Sequence, residues 1–193
     1  MNTTRPSLLI RIKDPRDAEA WAQFHDLYAP LIYRYARGRG LGREDADDIR
    51  SKCYEAIVRQ IKTFDYSKAK GGFKAWLRTL VDRRVIDLFR KKGEQQADPK
   101  ALAALTSNQS SPEEVWEHHW RSQHLKYCVE QLRDSVSRST FDSFFIVVVQ
   151  GRPVDDACEE LGISRNQVYK ARTRMLARVR EKMIEIGYED GAT

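Results

Sequence analysis

Cysteine is scarce in this chain: Cys53, Cys128 and Cys158 are the only three in 193 residues. They are far apart and odd in number, which argues against a disulfide framework, and each falls in an otherwise apolar helical stripe, as reduced core thiols do. No apolar run approaches the ~18 residues of a membrane-spanning helix. Met1 to Arg16 has no apolar signal core and carries Asp14, so no secretory leader is read and the cytoplasm is the expected location. Gly71-Gly72 and the Gly38, Gly40, Gly42 series lack the preceding strand and following lysine of a phosphate loop. His118, His119 and His124 share one segment, and His124 stands four residues before Cys128. No second ligand pair is near, and tetrahedral zinc takes about three or four protein ligands, so no metal site and no cofactor are expected. No nucleophile and base are paired, which argues against an enzyme.

What the chain has is charge, unevenly placed. The formal net charge is +6. Segment 73–92 holds seven Lys/Arg against two Asp, and segment 165–182 holds seven against one Glu. The remainder is acidic on balance. Two basic elements on an acidic body fit two contacts to a polyanion, with a separate acidic surface left over.

Helical periodicity runs through most of the sequence, giving an all-α fold class. Asp14-Pro15 reads as a cap and first-turn proline for a helix carrying Trp21, Phe24, Tyr28, Leu31, Ile32 and Tyr35. A second helix is expected from about Arg43 to Ile61, with Ile49, Cys53 and Ile57 inward and Glu44, Asp45, Asp47 and Asp48 in its first turns, where acid complements the positive helix end. After a mixed loop, Phe73, Trp76, Leu77, Leu80, Val81, Val85, Leu88 and Phe89 form a core stripe, opposite Lys74, Arg78, Asp82, Arg83, Asp87, Arg90 and Lys91. Periodicity fades from Gly93 to Ser111, apart from a weak turn at Ala101–Leu105. It resumes at Ser111-Pro112-Glu113-Glu114, a capping pattern. That helix carries Trp116, Trp120, Tyr127, Cys128 and Leu132, and an apolar segment from about Ser139 follows. Its valine run suits a strand by propensity, but no partner strand exists for its backbone groups, so helix is expected. The expected organisation is two small helical domains, 1–92 and 112–188, joined by a flexible linker, 93–111.

The second domain carries a helix-turn-helix between about Val154 and Met183. Ala157, Cys158 and Leu161 face inward from a short helix, Gly162 supplies a positive backbone angle, Ile163 plugs the corner, and Ser164 with Gln167 forms a capping box. Arg165, Asn166, Gln167 and Tyr169 lie in the first turns of the second helix, where base edges are reached in a major groove. Lys170, Arg172, Arg174, Arg178 and Arg180 suit phosphates.

With these blocks in place, the chain resembles bacterial sigma factors of the extracytoplasmic function (ECF) type. The resemblance rests on Gly151–Arg180, on Trp21, Phe24, Tyr28, Pro30 and Tyr33, on the run Glu44–Ile49, and on Phe73–Lys92. It implies a region 2 domain, a linker and a region 4 domain that bind core RNA polymerase and direct initiation from −10 and −35 promoter elements. Asp45, Asp47, Asp48 and Ile49 match the surface that docks on the β′ clamp helices. Phe64, Tyr66 and the loop to Gly72 match the part that captures an unpaired −10 base. Lys74, Arg78, Arg83, Arg84, Asp87, Arg90 and Lys91 lie on the face that approaches opening DNA. Arg165, Asn166, Gln167, Tyr169, Lys170, Arg172 and Arg174 would read the −35 element, and region 4 would touch the β flap. An anti-sigma factor is a further implied partner, and the free protein is expected to be a monomer. Trp76, within the buried stripe, is expected in the core, while Phe64 and Tyr66 are the better candidates for contacts near the open strand, with core packing of Phe64 an equal alternative.

The chain departs from the family at Pro153-Val154 and Ala157-Cys158, none of which carries a DNA contact. The competing reading is a helix-turn-helix regulator that binds an operator as a dimer. It does not account for the basic face at 73–92.

Overall fold

The computed structural model describes residues 6–65, 72–95 and 111–188, and every regular element among them is helical. The elements are α1 Pro6–Arg11, α2 Ala18–Gly38, α3 Arg43–Gln60, α4 Gly72–Gln95, α5 Pro112–Gln131, α6 Arg138–Phe144, α7 Val154–Leu161 and α8 Arg165–Glu185. No described helix is long and apolar enough to cross a membrane. The chain divides into two compact units, one of residues 1–124 with 187–193, the other of residues 125–186.

In the first unit α1 was not anticipated from sequence. It buries Leu9, and Ile12 just after it is fully enclosed. Arg11 grips Asp17 through two hydrogen bonds of 2.8 and 2.9 Å and reaches Glu19 at 2.7 Å. Asp17 in turn accepts from the Ala20 amide and is the cap of α2. The expected cap at Asp14-Pro15 therefore moves three residues on: Asp14 and Pro15 lie in the turn between α1 and α2, where Asp14 accepts from the Arg16 amide. In the first turn of α2 the Ala20 amide finds the Asp17 side chain, the Trp21 amide the Asp17 carbonyl, and the Ala18 amide the Arg16 carbonyl.

Aromatic packing holds this unit together. Phe24, Tyr28 and Phe73 meet ring to ring, with centroids 4.6 Å apart for Phe24–Tyr28 and 5.3 Å for Tyr28–Phe73. Trp120 lies 5.7 Å from Tyr28, and Trp116 meets Tyr35 edge-on at 5.0 Å. Both tryptophans are almost wholly enclosed, so truncating either to alanine costs on the order of 3–5 kcal/mol. They belong to α5, whose residues up to His124 group with this unit. The expected division at 111 thus falls instead inside α5. The signal was available: a helix carrying two tryptophans within five residues needs a large apolar counterpart, and Tyr28 and Tyr35 of α2 supply much of it.

The expected linker also starts later, because α4 continues to Gln95 with Gly93 inside it. The Ala101–Leu105 turn lies outside the described residues. The cap of α5 is as read from sequence: Glu114 N–H donates to Ser111 Oγ at 3.2 Å and Ser111 N–H to Glu114 Oε2 at 2.8 Å.

The second unit has two adjoining apolar clusters. Cys128, Val129, Leu132, Phe141, Phe144, Met175 and Val179 form the larger, and Ile146, Ala157 and Val168 the smaller. The valine-rich segment is helical, as the absence of a pairing strand required. Its last part, Phe145–Val149, widens into a π-type turn closed by Gln150 N–H on Phe145 O at 2.9 Å. Cys53 and Cys128 are buried and Cys158 half-buried, all three as free thiols. Burial pushes the Cys53 and Cys128 thiols up to about 12, which keeps them protonated and unreactive.

Candidate nucleic-acid interface

In the first unit the acidic residues of α3 and the basic residues of α4 come to the surface on different helices. Asp45 pairs with Lys92 at 2.5 Å, Asp47 with Arg50 at 3.0 Å and Asp48 with Lys52 at 2.6 Å. Asp47 and Asp48 are exposed pairs along one helix, where geometry is loose and a partner protein can compete for the carboxylate. Ile49 is 1% exposed. It anchors α3 to the core, so of the residues expected to dock on a partner only the acids that precede it reach the surface.

The basic face of α4 is partly spoken for. Arg78 reaches Glu113 at 2.9 Å and Asp82 at 3.4 Å, and Lys74 pairs with Glu117 while lying 5.6 Å above the Trp120 ring. Asp82 also accepts from Tyr35 and lies 3.3 Å from Arg39. Burial, with the Asp82 hydrogen bond, pushes the Tyr35 hydroxyl up to about 12. This network ties α2, α4 and α5 together. Further along α4, Arg84 bonds the Leu80 carbonyl, and Asp87 pairs loosely with Arg90 at 3.4 Å. Arg83, Arg90 and Lys91 are exposed. Of the expected DNA contacts on this helix, these three and Arg84 are the cations that no carboxylate of α5 covers.

The burial of the two aromatics at the α4 entry differs from the sequence expectation. Phe64 is 8% exposed, enclosed by Phe73 and Trp76 at centroid distances of 5.9 and 5.1 Å. Lys13 clamps its carbonyl from below at 2.8 Å. Trp76, expected in the core, is half-buried and lines an open groove of about 320 Å³ with Gln60, Thr79, Arg83 and Arg84. Trp76 lies at the margin of the buried stripe on a 3.6-residue wheel, which is the signal that marked it. An aromatic face beside two guanidinium groups is the combination that stacks a base and neutralises its phosphate. Tyr66 lies outside the described residues.

His124 is fully buried in this unit, with Nδ1 2.8 Å from the Trp120 carbonyl and Nε2 unpartnered. Burial drives its pKa down to about 4. Among the described residues no three His, Cys, Asp or Glu side chains converge where a metal ion could sit.

In the second unit the helix-turn-helix follows its sequence signals closely. Gly162 has φ +64°, and the Ile163 amide reaches back to the Cys158 carbonyl at 3.2 Å. Ser164 and Gln167 form the reciprocal box that starts α8. Val168 packs on Ala157 and Ile146, fixing α8 against α7. Arg165, Asn166, Gln167, Tyr169, Lys170, Arg172 and Arg174 are all exposed on α8. Two of them are engaged within the chain. Arg165 makes a two-point ion pair with Asp155 at 2.7 and 2.6 Å, and Gln167 Oε1 accepts from the Ser164 amide and hydroxyl at 2.8 and 2.9 Å. Gln167 is thus first a cap. Arg178 donates to the Ser135 carbonyl at 2.7 Å and serves the fold.

Residues 24–95, from α2 through α4, match the Sigma-70 region 2 family. The chain resembles ECF-type bacterial RNA polymerase sigma factors. It is 30% identical over 89 residues to ECF RNA polymerase sigma factor BldN of Streptomyces coelicolor, across 46% of this chain and 33% of that protein. It is 18% identical over 162 residues to ECF RNA polymerase sigma factor SigE of Mycolicibacterium smegmatis, across 81% of this chain and 60% of that protein. The chain therefore spans less than two thirds of either sigma factor. The region 2 match covers the helices that carry the acidic α3 surface, the Trp76 groove and the basic α4 face.

Proposed function

We propose that this chain is a non-catalytic specificity subunit of bacterial RNA polymerase, which binds the core enzyme and directs it to promoters. The carrying observation is the pairing, in one chain, of a region 2 match bearing acidic and basic faces with a helix-turn-helix whose exposed helix is strongly basic.

On this reading Asp45, Asp47 and Asp48 of α3 dock on the β′ clamp helices, with Asp47 and Asp48 the most readily released from their own partners. Trp76, Arg83, Arg84, Arg90 and Lys91 meet the −10 element as it opens. Unstacking a base costs a few kcal/mol, and a cationic groove with an aromatic wall offsets that cost by holding the separated strand. Asn166, Tyr169 and Arg165 read the −35 element in the major groove, while Lys170, Arg172 and Arg174 lie on its phosphates. The second unit contacts the β flap, an anti-sigma factor is a further partner, and the site of action is the cytoplasm.

The test is transcription in vitro. Purified protein added to sigma-free core polymerase on genomic DNA should produce discrete start sites absent from core alone. Reversing Asp47 and Asp48 to lysine should weaken core association about tenfold or more, since like charges replace complementary ones. Sparing Asp45 preserves its bond to Lys92 and hence the fold. Factor-independent starts, or palindromic operator binding by a dimer without polymerase, would reject the reading.

A further inference from the structure

The DNA surface of the second unit was expected from α8 alone. A groove of about 190 Å³ runs along one side of that helix, between α8 and α6. Ser139, Thr140 and Ser143 line it from α6, and Gln167, Lys170 and Arg174 line it from α8. No carboxylate lines it. Lys170 and Arg174 have no acidic partner among the described residues, in contrast to Arg165 and Lys182 of the same helix, which pair with Asp155 and Glu185. Two uncompensated cations beside hydroxyl groups in a concave site are matched to an anion.

Of the three hydroxyls, Thr140 is the one whose proton stays uncommitted. Ser137 gives its proton to Thr140 Oγ1 at 2.9 Å, which leaves the Thr140 proton for another acceptor. Ser143 turns away, donating to the Thr140 carbonyl at 3.1 Å. Ser139 is exposed at the rim.

The position follows from the helix itself. Val168, Ala171, Met175 and Val179 form the buried side of α8, so Asn166, Tyr169 and Lys170 occupy the opposite side. Gln167 and Arg174 then fall on one flank, facing α6. A helix lying in a major groove about 12 Å wide has a row of phosphates along each flank. We propose that the α6–α8 groove seats a DNA backbone phosphate, with Lys170 and Arg174 supplying charge and Thr140 supplying a hydroxyl donor. This rests on the reading of α8 as the helix that enters the major groove, and it adds α6 to the DNA surface. The seat fixes the register of the unit without reading sequence, as backbone contacts do.

The experiment uses the full-length protein and a fluorescently labelled duplex of about 20 base pairs, titrated from low to moderate salt. Lys170→Gln and Arg174→Gln should each flatten the log–log salt dependence by about 0.9. Thr140→Val should weaken binding about three- to tenfold with the slope unchanged, because a neutral donor is lost, and Thr140→Ser should restore it. Inorganic phosphate at matched ionic strength should fail to displace the duplex; displacement would make the site one for free phosphate and overturn the backbone assignment. If the groove variants leave binding unchanged while Asn166→Ala and Tyr169→Ala reduce it, the seat is wrong and the α8 reading stands. If none of the α8 variants affects duplex binding, both fall.

Discussion

The ammonium of Lys74 sits between the carboxylate of Glu117 and the ring of Trp120, so a cation expected to face DNA is turned toward α5. Arg78 is engaged in the same way by Glu113. Changing Glu113 and Glu117 to glutamine should therefore expose two cations on the α4 face. The affinity of the free protein for single-stranded DNA should rise, with a salt dependence steeper by up to about 0.7 per released cation. Stability should change by no more than about 1 kcal/mol, because both carboxylates are well exposed. Fluorescence anisotropy across a salt series measures the first effect, and an unchanged slope would show that these carboxylates do not screen the face.

Arg165 and Asp155 give a second expectation. The pair uses Nε and Nη2 of the guanidinium, which leaves Nη1 and the outer Nη2 proton directed away from Asp155. The carboxylate thus holds a flexible side chain in the fork geometry that a guanine edge accepts. If α8 reads a −35 element as proposed, Asp155→Ala should lower the preference of the polymerase complex for that element over a scrambled one by about fivefold or more, while non-specific affinity rises. Competition binding at fixed salt reads both, and a sharpened preference would show that Asp155 restrains Arg165 rather than aiming it.

Acid should destabilise the first unit through His124. Its folded pKa, about 4, lies below the ordinary imidazole value of 6.5 because burial penalises the charged ring. The unfolded chain then binds the proton more readily than the folded one. Stability is full above about pH 6.5 and falls as pH drops toward 4, by up to about 3 kcal/mol. His124→Phe keeps a ring against Trp120, where the imidazole centroid lies 4.3 Å away, and removes the titration. Urea denaturation between pH 4 and 7 should show a flatter profile for the variant; parallel profiles would place the acid sensitivity elsewhere.

Gly162 isolates the cost of the turn. A Cβ there meets nothing within 4 Å, so the penalty of Gly162→Ala is purely that of φ +64°. About 1–2 kcal/mol of stability should be lost. Gly162→Asn should lose less, since asparagine tolerates this conformation. Denaturation midpoints for the two variants decide it, and equal losses would point to a steric cause.

The local instructions for the helix-turn-helix were all present in the sequence. Gly162, Ile163, Ser164, Gln167 and Val168 act on neighbours within a few residues, so spacing alone specified the turn, the cap and the packing contact. The all-helical class was equally legible, because an apolar stripe of period 3.6 is a property of the chain itself. The capping box at Ser111 and Glu114 is local in the same sense.

What tertiary structure decided were the long-range matters. Phe64 is buried and Trp76 only half-buried because burial depends on which residues arrive opposite: Trp76 lies at a stripe margin, and Phe64 follows a short turn that folds it onto Phe73 and Trp76. The unit boundary moved into α5 because Trp116 and Trp120 found their partners on α2 and α4, residues far away in sequence. Lys74 and Arg78 looked like an open basic face until Glu117 and Glu113 were brought against them. Ile49 sits among acids in sequence yet points inward, so only its neighbours reach the surface. Each of these turns on side chains separated by tens of residues, whose meeting is set by the packing of whole helices, whereas caps, turns and stripes are set within one.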